Sequence, residues 1–103
     1  MSEANKNLGG AQTRLLCVIE ALSGHEVFGI RLKEVAAAVN TGSPTVLRDL
    51  QTLAAAGWAQ KDSADKWRLG QKPVQITNAF FAGLDRAKKQ VAETEHNYTR
   101  VPK

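Results

Sequence analysis

The sequence predicts a mainly α fold with one small β hairpin and a long C-terminal helix. Apolar residues recur with the three- and four-residue spacing of a helix in four separate segments. Between the third and fourth segments the pattern changes to two short stretches around a polar turn, which is typical of a hairpin. The chain has 103 residues, 43% hydrophobic and 23% charged, and this composition fits one globular domain.

The first third of the chain predicts an arm and two helices. Residues 1–10 are mostly polar and include a glycine pair, so we expect a mobile arm there. The first helix spans Ala11 to Ser23, and the stretch His25 to Ile30 suits a connector or one short strand. A short second helix carries an apolar stripe formed by Leu32, Val35, Ala36 and Val39. Asn40 follows it, a residue that tolerates the left-handed conformation found just past a helix end.

A tight turn separates the second helix from the third. Thr41-Gly42 forms the turn, Ser43 is expected to cap the third helix, and Pro44 suits its first position. The third helix covers about residues 43–56 and ends at Gly57. Its predicted buried stripe is Val46, Leu50 and Leu53.

The hairpin and the last helix complete the pattern. Residues 58–69 predict two strands around the polar turn Asp62 to Asp65. Trp58 and Trp67 are expected to anchor this hairpin in the core. The last helix covers residues 72–96, and residues 97–103 are expected to form a disordered tail. Helix, helix, turn, helix and hairpin is the order of a winged helix-turn-helix, which we place at residues 11–71.

The middle of the chain also resembles a known family. The segment Thr45-Val46-Leu47-Arg48, the Leu53-to-Gly57 helix exit and the ending Arg68-Leu69-Gly70 are similar to the N-terminal DNA-binding domain of IclR-type transcriptional regulators. The resemblance covers roughly residues 13–80 and implies binding of double-stranded DNA. Such regulators usually carry a large C-terminal effector domain, and the chain ends soon after the fourth helix. We therefore expect no small-molecule effector.

Composition limits the other classes of function. The formal charge is +4, and residues 31–72 hold 7 basic against 4 acidic side chains, which favours a polyanionic partner. A single cysteine, Cys17, excludes an internal disulfide, and no apolar run is long enough for a membrane span. We found no motif for catalysis, a metal or a cofactor. The sequence therefore predicts a cytoplasmic protein that is not an enzyme and that contacts no membrane.

The candidate DNA contacts lie on three elements. Arg48 is the best candidate, because a guanidinium matches the acceptor groups of guanine in the major groove. Asp49 is expected on the same exposed face, where it opposes DNA binding unless it accepts a hydrogen bond from a cytosine amine or orients Arg48. Arg31 stands where a helix-capping residue is usual, so either a phosphate lies nearby or the second helix is poorly capped. The full set is Arg31, Ser43, Thr45, Arg48, Thr52, Lys61, Lys66 and Arg68.

The long fourth helix predicts a homodimer. Ile76, Phe80, Leu84, Ala87 and Val91 form a stripe longer than one small domain needs, although the helix can also fold back onto its own domain. Two alternatives to a regulator remain open. One is a winged-helix module for protein–protein interaction, and the other is an accessory subunit of a replication, recombination or phage complex.

Overall fold

A computed structural model of the chain describes residues 9–100 and confirms the predicted fold class. The elements in order are α1 (Gly10–Leu22), β1 (Ile30–Arg31), α2 (Leu32–Ala38), α3 (Ser43–Ala55), β2 (Ala59–Lys61), β3 (Lys66–Leu69) and α4 (Lys72–Thr99). The chain divides after Pro73 into two units. Among the helices described, none is both long and apolar enough to cross a membrane.

The core of the first unit joins the three short helices to the small sheet. All three predicted inward residues of α3 are buried, together with Val18 and Leu22 of α1. Trp67 is 4% exposed and Trp58 packs against the same cluster, so both tryptophans anchor the wing as predicted. Complete burial of a leucine such as Leu50 stabilises the fold by about 1.5–3 kcal/mol.

The turn between α2 and α3 depends on a left-handed residue. Asn40 has φ 52°, as its sequence position predicts. This conformation lets the Asn40 N–H donate to the Ala37 carbonyl at 3.2 Å and the Thr41 N–H to the Ala36 carbonyl at 3.0 Å. The two bonds satisfy carbonyl groups that the end of α2 leaves unpaired. The chain is thereby reversed within a few residues, and α3 begins at once.

The end of α3 uses the same kind of turn. Gly57 has φ 83°, which favours glycine because a Cβ is strained there. Its N–H donates to the Ala54 carbonyl at 3.1 Å, and the Trp58 N–H donates to the Leu53 carbonyl at 2.8 Å. The predicted exit at Gly57 is confirmed, and the turn leads directly into β2.

The hairpin belongs to a three-stranded antiparallel sheet with the order β1-β3-β2. Trp67 stands opposite Lys61 on β2 and opposite Ile30 on β1. Gly29, just before β1, has φ 74°, and a Cβ there would lie 2.7 Å from the Lys66 Cβ. Glycine therefore lets β1 approach β3 closely. The segment His25 to Ile30, predicted as a connector or one short strand, is therefore a loop that leads into β1 at Ile30.

Helices α1 and α4 extend beyond their predicted bounds. Helix α1 begins at Gly10, which the prediction had placed in the mobile arm, and residues 1–8 lie outside the described part of the chain. Helix α4 continues to Thr99, so residues 97–99 of the expected tail are helical. No glycine or proline interrupts the chain between residues 84 and 99, and nothing there stops the helix. Residues 101–103 lie outside the described part.

Candidate nucleic-acid interface

Helix α3 has one buried and one accessible face. Because Val46 and Leu50 are inward, the side chains of Arg48 and Thr52 are directed outward and are exposed. Thr45 is half-buried one turn earlier. The helix is 13 residues long, so it extends about 20 Å. Its accessible face is therefore long enough to contact several base pairs of a duplex.

Asp49 does not lie on the accessible face, contrary to the sequence prediction. It is 8% exposed and accepts two hydrogen bonds from Arg14 of α1, to Oδ2 from Nε at 2.6 Å and to Oδ1 from Nη2 at 3.0 Å. The hydrogen bonds to this carboxylate raise the pKa of the Arg14 guanidinium above its ordinary value. The charge of Asp49 is thus paired with that of Arg14 inside the fold. Asp49 therefore neither orients Arg48 nor repels a phosphate on the accessible face.

Arg48 is the one charged residue on the accessible face of α3. Its side chain makes no ion pair within residues 9–100. Its carbonyl accepts a hydrogen bond from the Thr52 hydroxyl at 2.9 Å. Because the Thr52 proton is engaged in this way, Thr52 can offer a ligand only its oxygen as an acceptor and its methyl group. Arg48 is therefore the cationic hydrogen-bond donor of this surface.

The start of α3 differs from the prediction by one residue. Gly42 is the N-cap and Ser43 is already helical, so the expected capping bond from the Ser43 side chain is absent from the described structure. Pro44 follows at the start of the helix and has no N–H that needs a partner. Ser43 is half-buried at the entrance to α3, which leaves its hydroxyl as a candidate contact rather than a cap.

Lys61 lies at the base of the wing turn and is exposed. Its Nζ is 3.5 Å from the Oδ1 of Asp65 and 5.7 Å from the centroid of the Trp67 ring. The partner Asp65 is 83% exposed, and ion pairs of such exposure contribute little to stability. A phosphate can therefore replace Asp65 as the partner of this ammonium group.

Arg68, a predicted DNA contact, connects the wing to the loop before β1, and its guanidinium is engaged within the protein. Its Nη1 donates to the carbonyls of Glu26 at 3.1 Å and Val27 at 2.9 Å, and its Nη2 donates to Asp62. Its Nε is buried without a partner among the described residues. The guanidinium is turned inward on these groups, so we assign Arg68 to the scaffold of the wing.

Asp62 organises the turn of the wing. Its Oδ1 accepts hydrogen bonds from the N–H groups of Ala64 at 2.8 Å and Lys66 at 3.0 Å, and its Oδ2 accepts from Arg68. The bond from the Lys66 N–H is the main cause that holds the pKa of Asp62 below its ordinary value. The Ala64 N–H and the Arg68 guanidinium lower that pKa further, and partial desolvation opposes them.

Arg31 and Lys66 are neighbours on the sheet, since the register pairs them directly.

The start of α2 is not left uncapped, because the Arg31 N–H donates to Oε1 of Glu34 at 3.3 Å. A glutamate three residues after a helix N-cap is the signal that predicts this bond, and the expectation of a poorly capped helix overlooked it.

The sequence prediction also missed the turn contacts of Asp62 and the ion pair between Arg14 and Asp49, and only the first has a local signal in the sequence. An aspartate at the start of a polar turn often bonds to the N–H groups that follow, so the role of Asp62 was accessible from the sequence. Arg14 and Asp49 are 35 residues apart, and nothing in their local pattern connects them. Their pairing follows only from the packing of α1 against α3.

The arrangement can be compared with known proteins. A family model described as the IclR helix-turn-helix domain matches residues 12–63, which is half of the chain. The match extends from α1 into the turn of the wing. No curated protein matches the chain.

Proposed function

Because the chain belongs to the IclR helix-turn-helix domain family, we propose that it binds specific sequences in double-stranded DNA and regulates transcription. A DNA-binding role of this kind is the general property of the family's domain. The single observation that carries the finer proposal is the accessible face of α3. That face carries Arg48 and no carboxylate, because Asp49 is held on the buried side by Arg14.

In this proposal α3 is the recognition helix. The major groove is about 12 Å wide and admits one α-helix. Arg48 donates to base edges, most favourably to the two acceptors of guanine. Thr45 and Thr52 contact bases or sugars beside it, and Ser43 contacts a phosphate at the start of the helix. These residues supply sequence preference more than affinity.

The wing supplies affinity that does not depend on sequence. Lys61 and Lys66 on the wing, together with Arg31 on the adjacent strand, neutralise backbone phosphates. Arg68 takes no part as a direct contact and instead holds the loop before β1 against the wing. The proposed DNA surface combines α3 with the wing, where Arg31 and Lys66 project from one face of the sheet and Lys61 lies at the edge of the other face, beside Trp67.

We also propose that α4 forms a homodimer. Phe80 and Phe81 are 63% and 59% exposed within the described chain, and their rings meet edge to face with centroids 5.3 Å apart. Burial of such rings against a second α4 is favoured by about 25 cal/mol for each Å² of apolar surface. Two recognition helices joined in this way contact half-sites one or more turns of DNA apart, which increases specificity.

The test is titration of the intact protein with a random-sequence duplex at 50 and 200 mM salt. Neutralisation of two or three phosphates by one protomer predicts that log K falls with log salt with a slope of about −1.8 to −2.7 for each protomer that contacts the duplex. Affinity for random duplex should then decrease between about 10- and 40-fold over this range. Selection from a random pool should in addition enrich one sequence.

Two results contradict the proposal. No detectable binding at 50 mM salt would favour a winged-helix module that binds another protein. Binding without enrichment of any sequence would favour an accessory subunit of a DNA-processing complex, because such a subunit needs phosphate contacts alone.

A further inference from the structure

The register of the small sheet brings two cations together. Arg31 on β1 stands directly opposite Lys66 on β3. Directly opposed residues of antiparallel strands project from the same face, with Cβ atoms about 4.5–5.5 Å apart. The two residues are 35 positions apart in the sequence, so only the pairing of β1 with β3 makes them neighbours.

Neither cation has an acidic partner for its side chain within residues 9–100. The nearby carboxylate of Asp62 is engaged by the N–H groups of Ala64 and Lys66 and by the Arg68 guanidinium. The carboxylate of Glu34 accepts from the backbone N–H of Arg31 instead of pairing with its guanidinium. Like charges that face each other on a sheet destabilise it, so this pair is unfavourable in the free protein.

We propose that Arg31 and Lys66 together bind one phosphate group, and that in the complex it is a single phosphate of the DNA backbone. A phosphate placed between the two side chains accepts hydrogen bonds from the planar guanidinium and from the ammonium group at once. It also removes the repulsion between them. The identification with DNA rests on the proposed function, whereas binding of a phosphate oxyanion does not.

A shared phosphate has a distinct signature in the salt dependence of DNA binding. For each protomer that contacts the DNA, two cations on separate phosphates would contribute about 1.8 to the slope of log K against log salt, and two on one phosphate contribute about 0.9. The same geometry makes the two side chains interdependent. Loss of either side chain should therefore reduce the affinity for DNA by most of the amount that loss of both side chains does.

The experiment compares Arg31→Gln, Lys66→Gln and the double variant with the wild type. Glutamine keeps a long stem for packing and removes the charge. Lys88→Gln is the matched control, because it removes one charge from an exposed lysine on α4. We expect each single variant and the double variant to bind random duplex roughly tenfold more weakly at 100 mM salt. The double variant should lower the salt slope by about 0.9, and Lys88→Gln should leave both quantities close to wild type.

A second measurement needs no DNA. Thermal unfolding is followed in inorganic phosphate and in chloride at equal ionic strength, so that the general effect of phosphate on stability is common to all variants. Phosphate should raise the Tm of the wild type and of Lys88→Gln more than that of either site variant. In dilute chloride the site variants should unfold no earlier than the wild type, because the repulsion between Arg31 and Lys66 is gone.

The outcomes separate this inference from the proposed function. If the wild type binds duplex but the two substitutions act additively, with a combined slope change near 1.8 for each protomer that contacts the DNA, the shared site is wrong and DNA binding stands. If the wild type does not bind duplex, the proposed function fails. The phosphate-dependent difference in Tm then decides the site alone: its loss in the site variants supports a site for free phosphate, and equal shifts in all variants overturn it.

Discussion

At the scale of single residues, two carboxylates determine which cations are open to a ligand. Asp49 binds Arg14 inside the fold, and Asp62 holds Arg68 at the wing. Among the described residues, these two arginines are therefore structural even though they add to the positive charge. Arg48 carries no such partner and remains exposed on α3. Charge counting alone cannot distinguish these two groups of arginines, since it ignores the neighbours of each one.

Replacement of Arg48 by alanine tests the recognition helix. If Arg48 makes a bidentate contact with guanine, the variant should bind a selected sequence more weakly by about 1–3 kcal/mol and discriminate less against random duplex. Lys66→Gln is the comparison, because loss of a phosphate contact should weaken both sequences about equally. Fluorescence anisotropy measures both affinities, and circular dichroism checks folding. Unchanged affinity of a folded Arg48→Ala for the selected site means that α3 is not the recognition helix.

At the scale of elements, the turn of the wing supplies contacts in addition to those of its short strands. Strands β2 and β3 have three and four residues, and a hairpin of this length has little stability of its own. Asp62 adds two hydrogen bonds to backbone N–H groups within the turn and an ion pair with Arg68. Arg68 in turn binds two carbonyls of the loop before β1. One carboxylate thus links the turn, the central strand β3 and, through Arg68, that loop.

The lowered pKa of Asp62 predicts an acid-sensitive wing. A pKa that is lower in the folded than in the unfolded state gives stability that is present above the unfolded value, about 3.9, and is lost as the pH falls through the folded value. Asp62→Asn should therefore lower the Tm near pH 7, and its difference from the wild type should shrink below about pH 4. Thermal unfolding between pH 2 and 7 measures this.

The control for that prediction lies in the same turn. Asp65 is exposed and has φ 61°, a conformation that asparagine also tolerates, so Asp65→Asn makes the same chemical change without loss of the Asp62 contacts. We expect Asp65→Asn to have a smaller effect on Tm at pH 7. A difference between Asp62→Asn and the wild type that stays constant down to pH 2 would show that the charge of Asp62 does not stabilise the wing.

At the scale of the whole molecule, helix α4 leaves a long row of apolar side chains exposed. Helix α4 has 28 residues, about 42 Å, and none of its described residues is buried. Seven large hydrophobic side chains along it are at least 41% exposed: Val74, Ile76, Phe80, Phe81, Leu84, Val91 and Tyr98. Most stability of a helix in a protein comes from packing of its apolar face. A second copy of α4 provides such packing, and this is the physical basis of the proposed dimer.

Light scattering on the intact protein tests the dimer. We expect a mass of twice 11.2 kDa at tens of micromolar, and the mass of one chain for Leu84→Glu, because a charge in an apolar interface is strongly unfavourable. Gln90→Glu makes a comparable change in charge at an exposed polar position of the same helix and should leave the dimer intact. A single-chain mass for the wild type at this concentration would exclude the dimer through α4.

Local features of this fold follow from the sequence because they depend on residues a few positions apart. The inward stripe of α3 follows from its helical spacing, and the turn at Asn40 and the exit at Gly57 follow from which residues tolerate positive φ. The anchoring of Trp58 and Trp67 follows from their apolar bulk. These features were sufficient to predict the winged helix-turn-helix fold and to locate α3, the helix proposed for recognition.

The composition of the candidate interface depends instead on residues far apart in the chain. Asp49 leaves the accessible face because Arg14, 35 residues away, binds it across the contact between α1 and α3. Arg68 turns away because carbonyls more than 40 residues earlier accept its N–H groups. Arg31 and Lys66 become neighbours because β1 pairs with β3. Periodicity reports which face of an element is apolar, whereas the partner of a charged side chain is set by which elements pack together.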